Sequence, residues 1–376
     1  MARWLSFRVG LLVALVAGRP SGAETLPSPA EVQPKGATKP PAQIEEEGDN
    51  VIVPIVLYTP ETHVGLGGLF VHFFRPPPER KHARVSSVAF LAIATTRRQA
   101  IVEAHPDFYF MDEDLHLFAK LEYQYFPDSF WGVGSRTPDR AEERYRRERL
   151  RFRPNGLYRM VGRLYGGLSA DAMEYRAEYG DGGLFATQDF PGERGGVTAG
   201  FGPALSYDSR DNPVSARSGT LLGATFLWFP KPTSRYAFRK LLLEARQFFD
   251  LGRTHAIGAR FYGELQGGNT PYYHLAMLGG DELLRGYYLG RYRDETLVAL
   301  EAEYRYPLFW RFGGVLFAGA GQVADDPVDL PSEPLRWAVG GGLRFSLADR
   351  ERLNLRFDLG FAPTSWGAYF TAREAF

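Results

Sequence analysis

From Leu353 to Leu359 the chain alternates without a break: Leu353, Leu355, Phe357 and Leu359 are large and apolar, while Asn354, Arg356 and Asp358 between them carry an amide or a charge. A period of two marks an extended strand whose faces meet different surroundings. The pattern returns at 298–306, where Val298, Leu300, Ala302, Tyr304 and Tyr306 oppose Ala299, Glu301, Glu303 and Arg305. It recurs at 115–125 and at 255–266. In each case one face is greasy and the other ionic, over the ~9 to 11 residues that a tilted strand needs to cross a bilayer.

The first residues read as a secretory signal peptide. Arg3 and Arg8 form a positive head, Val9 to Val16 an apolar stretch, and Ser21-Gly22-Ala23 a small-residue cleavage site. Nowhere does the chain offer the roughly 20 consecutive apolar residues of a transmembrane helix, so a membrane crossing has to be made by strands. Residues 24–50, with five prolines and Glu45-Glu46-Glu47, read as a flexible periplasmic tail. The barrel proper is assigned to 51–376. With 44 basic and 44 acidic residues there is no charge excess to attract nucleic acid. The lack of cysteine removes disulfides, thiolate sites and cysteine nucleophiles.

Turn residues divide the chain into sixteen strands: 51–58, 63–74, 84–95, 97–110, 114–126, 143–153, 157–170, 195–208, 217–230, 235–250, 254–266, 296–308, 311–323, 334–347, 351–362 and 366–376. The fold class is therefore all-β, a transmembrane antiparallel β-barrel with both chain ends in the periplasm. The long connections 127–142, 171–194, 267–295 and 324–333 then all fall outside, and short turns, Pro154-Asn155-Gly156 among them, fall on the periplasmic side. Arg147, Arg149, Arg151 and Arg153 face away from Leu150 and Phe152 and continue, past that turn, into Arg159 and Arg163 as a basic stripe on the lumen wall. Aromatic residues gather near strand ends, as in Phe226, Trp228 and Phe229, where membrane interfaces favour them.

Several segments resemble the BamA/TamA surface-antigen superfamily. Leu284-Arg285-Gly286-Tyr287 is similar to its (V/I/L)-R-G-(F/Y) signature and lies between the eleventh and twelfth strands. Asp208-Ser209-Arg210-Asp211-Asn212-Pro213, followed by Gly219, resembles the family turn between strands eight and nine. Glu303-Tyr304-Arg305-Tyr306-Pro307-Leu308 and Tyr58-Thr59-Pro60-Glu61-Thr62 are similar to further family segments. The resemblance implies that the signature loop folds back into the lumen, where Arg285 pairs with acids of the inner wall. Glu301, Glu303 and Asp358 are the candidates, and a guanidinium is suited to such bidentate contacts.

Two positions depart from the family. Gly319 stands where it often has an aspartate, and Glu374 stands two residues before Phe376, where the C-terminal strand signal prefers an apolar residue. The tail 24–50 is too short for the folded periplasmic repeats that the family uses on its substrates.

Seven scattered histidines show no metal-ligand spacing, and Asp325, Asp326 and Asp329 with intervening prolines do not form a calcium loop. No nucleophile setting for a hydrolase appears, so neither enzyme activity nor a metal or cofactor is expected. The resemblance implies outer-membrane protein assembly or protein translocation, with outer-membrane lipid, client proteins and the host assembly machinery as partners. The competing reading is a passive pore, a lipid-handling scaffold or a structural surface barrel without clients.

Overall fold

The computed structural model describes residues 50–74, 86–188, 190–212, 215–348, 352–372 and 374–376. The signal segment 1–23, nearly all of the tail 24–50, and Pro213 lie outside the described residues. The strands run β1 (Asn50–Thr59), β2 (His63–Phe74), β3 (Ser86–Thr95), β4 (Ala100–Phe110), β5 (Leu115–Phe130), β6 (Glu143–Val161), β7 (Leu164–Glu178), β8 (Gly196–Asp208) and β9 (Gly219–Phe229). They continue as β10 (Phe238–Gly252), β11 (His255–Gly268), β12 (Ala276–Leu278), β13 (Tyr292–Asp294), β14 (Thr296–Phe309), β15 (Phe312–Ala324), β16 (Arg336–Ala348), β17 (Leu353–Phe361) and β18 (Trp366–Ala372).

Sixteen of these strands close an antiparallel barrel, from β1 through β11, then β14 through β18, and back to β1. The short pair β12 and β13 forms its own ribbon within the connection 269–295. Closure satisfies the backbone hydrogen bonds that an open sheet would leave bare in lipid. Asn50 and the end of β18 share one end of the barrel with short turns such as 253–254 and 310–311, and the long loops gather at the other end, as the strand pattern predicts.

Side chains sort by parity. Leu300, Tyr304, Leu316, Leu343 and Phe357 lie exposed on the outer surface, whereas Glu301, Glu303, Arg305 and Asp358 are buried inside. Trp228, Trp310, Trp337 and Trp366 stand outward. No helix among the described residues is long and apolar enough to cross a membrane.

Two features differ from the sequence reading. Pro154-Asn155-Gly156 is not a turn: β6 runs straight through it, pairing with β5 at Ala119↔Pro154 and Leu117↔Gly156, and the chain reverses only after Val161. The sheet absorbs the turn signal because both neighbours pair on either side of it, and the Asn155 carboxamide oxygen accepts from Ser169 Oγ of β7 at 2.6 Å. The basic stripe therefore lies on one continuous strand through Arg159, while Arg163 sits in the tight turn beyond. Secondly, the lumen face of the first strands is apolar. Val53, Ile55, Leu57, Leu69, Leu91, Ile93 and Ile101 form a buried cluster with Phe126. The strands curl closely there, and a Cβ at Gly67 would come within 2.0 Å of the Ala92 carbonyl oxygen.

An arginine at the lipid-facing position Leu300 is expected to lower stability by ~2 to 4 kcal/mol if it lies near the bilayer middle, and Leu335→Arg in the loop 325–335 by less than ~1 kcal/mol. Urea unfolding of the barrel in phospholipid vesicles measures both; equal costs would show that the outer face does not meet hydrocarbon.

Candidate functional site

The connection 269–295 turns into the barrel and fills its upper lumen. It can make the sharp reversals because Gly279, Gly280, Gly286 and Gly290 all have positive φ. Leu284, at φ 60°, shares that left-handed conformation. Its amide donates to Glu301 Oε1 at 2.8 Å and its side chain is buried, and these contacts hold it there.

Arg285 is 1% exposed. Its Nη1 donates to Asp358 Oδ2 at 2.5 Å, its Nη2 donates to Glu303 Oε1, and its guanidinium stacks 3.6 Å from the centre of the Phe317 ring. Two carboxylates and an aromatic face thus enclose one cation that water does not reach. Of the three acids expected to pair with Arg285, Glu303 and Asp358 do so. Glu301 instead caps the Leu284 amide and approaches Arg260 Nη1 at 3.6 Å.

Gly286 is the point of closest approach to the wall. A Cβ there would meet the backbone of Gly360 and Phe361 at 3.2 Å, and one at Gly360 would meet the Arg285 carbonyl oxygen at 2.4 Å. The loop is seated in a notch made by two facing glycines. The Gly286 amide donates to Tyr369 Oη at 2.9 Å, and Ser365 Oγ donates to the Gly286 carbonyl at 2.7 Å. Tyr287 is buried against Tyr292 at 5.7 Å. Gly319, the departure from the family aspartate, has a packing role, since a Cβ there would lie 3.1 Å from Leu284 Cδ1 and 3.0 Å from Glu301 Cγ.

The turn motif is built for its own stability. Arg210 donates to Asp208 through its backbone amide, Nε and Nη2, each at 3.0 Å. Asp211 Oδ1 accepts from the Arg217 and Ser218 amides at 2.9 and 3.1 Å, and its other oxygen meets Arg352. Gly219 takes φ 101°, and a Cβ there would come within 2.4 Å of the Ser209 carbonyl oxygen. Arg305 joins the turn to the acids that hold the signature loop: it pairs with Glu303 at 2.8 Å, donates to the Ala216 carbonyl at 3.2 Å and to the Phe376 carbonyl at 2.8 Å.

Phe376 is not the last residue of a strand. β18 stops at Ala372, and Ala375 and Phe376 turn into the lumen beside Ala216 and Phe248. Glu374 Oε2 accepts from Arg344 Nε at 2.7 Å, and Arg344 Nη1 in turn reaches Asp358 Oδ1 at 2.5 Å. One chain of contacts therefore runs from the signature loop through Asp358, Arg344 and Glu374 to the C-terminus. Arg356 adds a second tie to the loop, donating to Asp281 Oδ2 at 3.0 Å.

Strand parity alone marks Arg305, Arg344 and Arg356 as lumen residues beside the expected acids. Glu61, in the turn after β1, had no such signal. It is buried, and its Oε1 accepts from the Leu289 amide at 2.7 Å. The loop is thus held on one side by Tyr369 of β18 and on the other by Glu61 beside β1. Burial pushes the Glu61 carboxyl up to about 7.

Above the loop, Phe130, Tyr145, Tyr175, Phe185, Tyr272 and Tyr273 pack into a buried aromatic cluster across the mouth. No cluster of metal-ligating residues occurs among the described residues.

The Omp85 superfamily domain matches residues 105–367. Among solved structures, BamA from Haemophilus ducreyi lacking POTRA domains 1–3 superposes with a TM-score of 0.60 at 12% identity, covering 87% of this chain and 70% of that one. CdiB from Escherichia coli gives 0.58 at 12% identity over 85% of this chain, and CdiB from Acinetobacter baumannii 0.55 at 11% over 86%. The chain spans 62% and 59% of those two CdiB chains. No curated protein matches it.

Arg285→Ala is expected to cost ~3 to 5 kcal/mol, since Glu303 and Asp358 would stay buried without their cation. Arg285→Lys should recover only part of this, because an ammonium lacks the planar fork. Unfolding in vesicles together with protease access to 269–295 measures both, and an unchanged loop in Arg285→Ala would refute the latch. Because the Glu61 pKa is raised on folding, its contribution is fully present below pH 4.5 and is lost as pH rises to about 7. Loop protection measured by hydrogen exchange should decline across that window and become flat in Glu61→Gln.

Proposed function

Because the chain belongs to the Omp85 superfamily, we propose that it sits in a bacterial outer membrane and acts on other polypeptides, assisting their assembly into that membrane or their passage through it. On this reading it has no catalytic chemistry, is exported by the N-terminal signal 1–23, and relies on the host assembly machinery for its own insertion.

The observation that carries the proposal is the seam between β1 and β18. They share one register pair, Tyr58↔Phe370, whereas β14 and β15 are paired from Thr296↔Ala324 to Phe309↔Phe312. By that register Ala372, the last residue of β18, stands opposite Val56, so residues 50–55 extend past the end of their neighbour. A strand edge of this kind inside a bilayer lacks hydrogen-bond partners, and another extended chain would supply them. A passive pore is the poorer fit. A pore needs an open lumen, and here the lumen holds a buried loop, a buried ionic cluster and an aromatic cap.

The test pairs heat-modifiable gel migration of the protein from purified outer membranes with an outer-membrane proteome of a deletion strain and its parent. The proposal expects a heat-modifiable band and depletion of other outer-membrane or secreted proteins in the deletion strain. A heat-modifiable band with an unchanged proteome would keep the barrel and remove the client role.

A further inference from the structure

Three hairpin tips at the end of the barrel opposite the long loops repeat one short pattern: Val161-Gly162-Arg163 between β6 and β7, Leu251-Gly252-Arg253 between β10 and β11, and Phe309-Trp310-Arg311 between β14 and β15. Each sets an exposed apolar residue two positions before an arginine, and the residue between them is left-handed, with φ of 57°, 79° and 50°. Glycine adopts that conformation freely at 162 and 252. At 310 a tryptophan adopts it while 81% exposed, so packing within the chain does not offset the strain. Its ring reaches the rings of Phe312 and Phe345, at 6.2 and 5.9 Å between centres. An indole held outward at this level suits a bilayer interface.

Neither Arg163 nor Arg253 has a carboxylate partner among the described residues. Arg163 donates instead to the Ser209 carbonyl at 2.9 Å, and the Arg311 guanidinium lies over the Phe345 ring, 5.5 Å from its centre. The tips at 253 and 311 belong to adjacent hairpins, because β11 pairs with β14, and the tip at 163 stands two hairpins from that at 253. Adjacent hairpins along a barrel rim are ~10 Å apart, so the three arginines mark an arc along the wall from β6 to β15. The tip between β4 and β5 breaks the pattern. After the exposed Met111 come Asp112, Glu113 and Asp114, and Arg159 stands 3.4 Å from Asp114 and 3.9 Å from Glu113.

An apolar side chain at the acyl boundary with a guanidinium just beyond it matches the order in which a phospholipid presents its chains and its phosphate, and a guanidinium meets a phosphate through two hydrogen bonds. We propose that the three tips gather anionic phospholipid of the periplasmic leaflet against β6 to β15, and that the acidic tip at 112–114 keeps it from β4 and β5. Phosphatidylglycerol is the chemical class. Its phosphodiester meets the arginine, and unlike a zwitterionic head group it brings no ammonium to oppose it. The surface needs the barrel in a bilayer, as the proposed function does, but no client.

The full-length protein is folded into phosphatidylcholine vesicles with Trp228, Trp337 and Trp366, the outward tryptophans of the far rim, replaced by phenylalanine; Trp131 is buried, so Trp310 reports on nearby lipid. Quenching by brominated phosphatidylglycerol is compared with quenching by brominated phosphatidylcholine at the same mole fraction. The anionic lipid should be enriched beside Trp310 by about threefold, and salt at about 1 M should remove most of the enrichment. Arg163→Gln, Arg253→Gln and Arg311→Gln combined should abolish it in a chain whose heat-modifiable band shows an intact barrel. Equal quenching by the two lipids, or a preference that survives in the folded triple variant, overturns the proposal. So does a photo-crosslinking residue at Leu251 that joins to protein in place of lipid in native outer membranes, which would make the tips a docking face for a periplasmic partner. A loss of this lipid preference leaves the deletion-strain proteome unaffected as a test of the client role, and an unchanged proteome leaves the lipid preference standing.

Discussion

The arrangement depends on one buried cation. Arg285 reaches the barrel wall from a loop that also buries Leu278, Leu283, Leu284 and Tyr287 in an apolar cluster, and it is met there by Glu303, Asp358 and the face of Phe317. Removing a guanidinium and two carboxylates from water is costly, and their mutual attraction offsets that cost only when the geometry is good and the remaining polar atoms are engaged. The neighbours meet the geometric part of this condition by sharing charges, while Arg285 Nε, Arg344 Nη2 and Arg356 Nη1 stay buried without a hydrogen-bond partner among the described residues. Glu303 also takes Arg305, and Asp358 also takes Arg344 and Arg356. A network of this sort fixes a position more than it adds stability, and the position fixed is that of the signature loop against β14 and β17.

From that point the molecule is organised around its weakest strand pair. The loop straddles the seam at the long-loop end, resting on Tyr369 on one side and Glu61 on the other. At the opposite end the chain terminus leaves the sheet and joins the same ionic network through Glu374 and Arg305. The seam is therefore clasped at one end and undone at the other, and both conditions trace to one set of lumen charges.

The barrel was largely legible in the sequence because its two surroundings, an apolar exterior and an ionic lumen, write a period of two onto most of its strands. Leu353 to Leu359 and Val298 to Tyr306 carry that pattern with few exceptions, and they became β17 and β14. The match failed where local chemistry and sheet pairing disagreed. Pro154-Asn155-Gly156 has the composition of a turn, yet β5 and β7 flank it and the strand persists. In β1 to β3 the inner face, with Val53, Ile55, Leu57, Leu69, Leu91 and Ile93, is as apolar as the outer, so alternation could not orient the strands. Arg285 and its partners Glu303 and Asp358 were legible through motif and parity together. Glu61 and Tyr369 were not, since a turn acid and a strand tyrosine acquire their roles only when the loop is brought to them. Glu374 was visible as an anomaly in the terminal strand, and the structure gives it a meaning: the residue that does not suit the lipid face is the one that takes the chain inward.

The aromatic cap has a consequence for the membrane as an electrical barrier. Phe130, Tyr145, Tyr175 and Phe185 are carried by β5 to β7 and the loop that follows, and Tyr272 and Tyr273 by the start of the signature connection. None of them belongs to β1 or β18. The route along the barrel axis and the route sideways into the bilayer are thus closed by different parts of the molecule. A seam that loosens at its terminal end would leave the axial seal in place, so the wall could part without short-circuiting the membrane to ions.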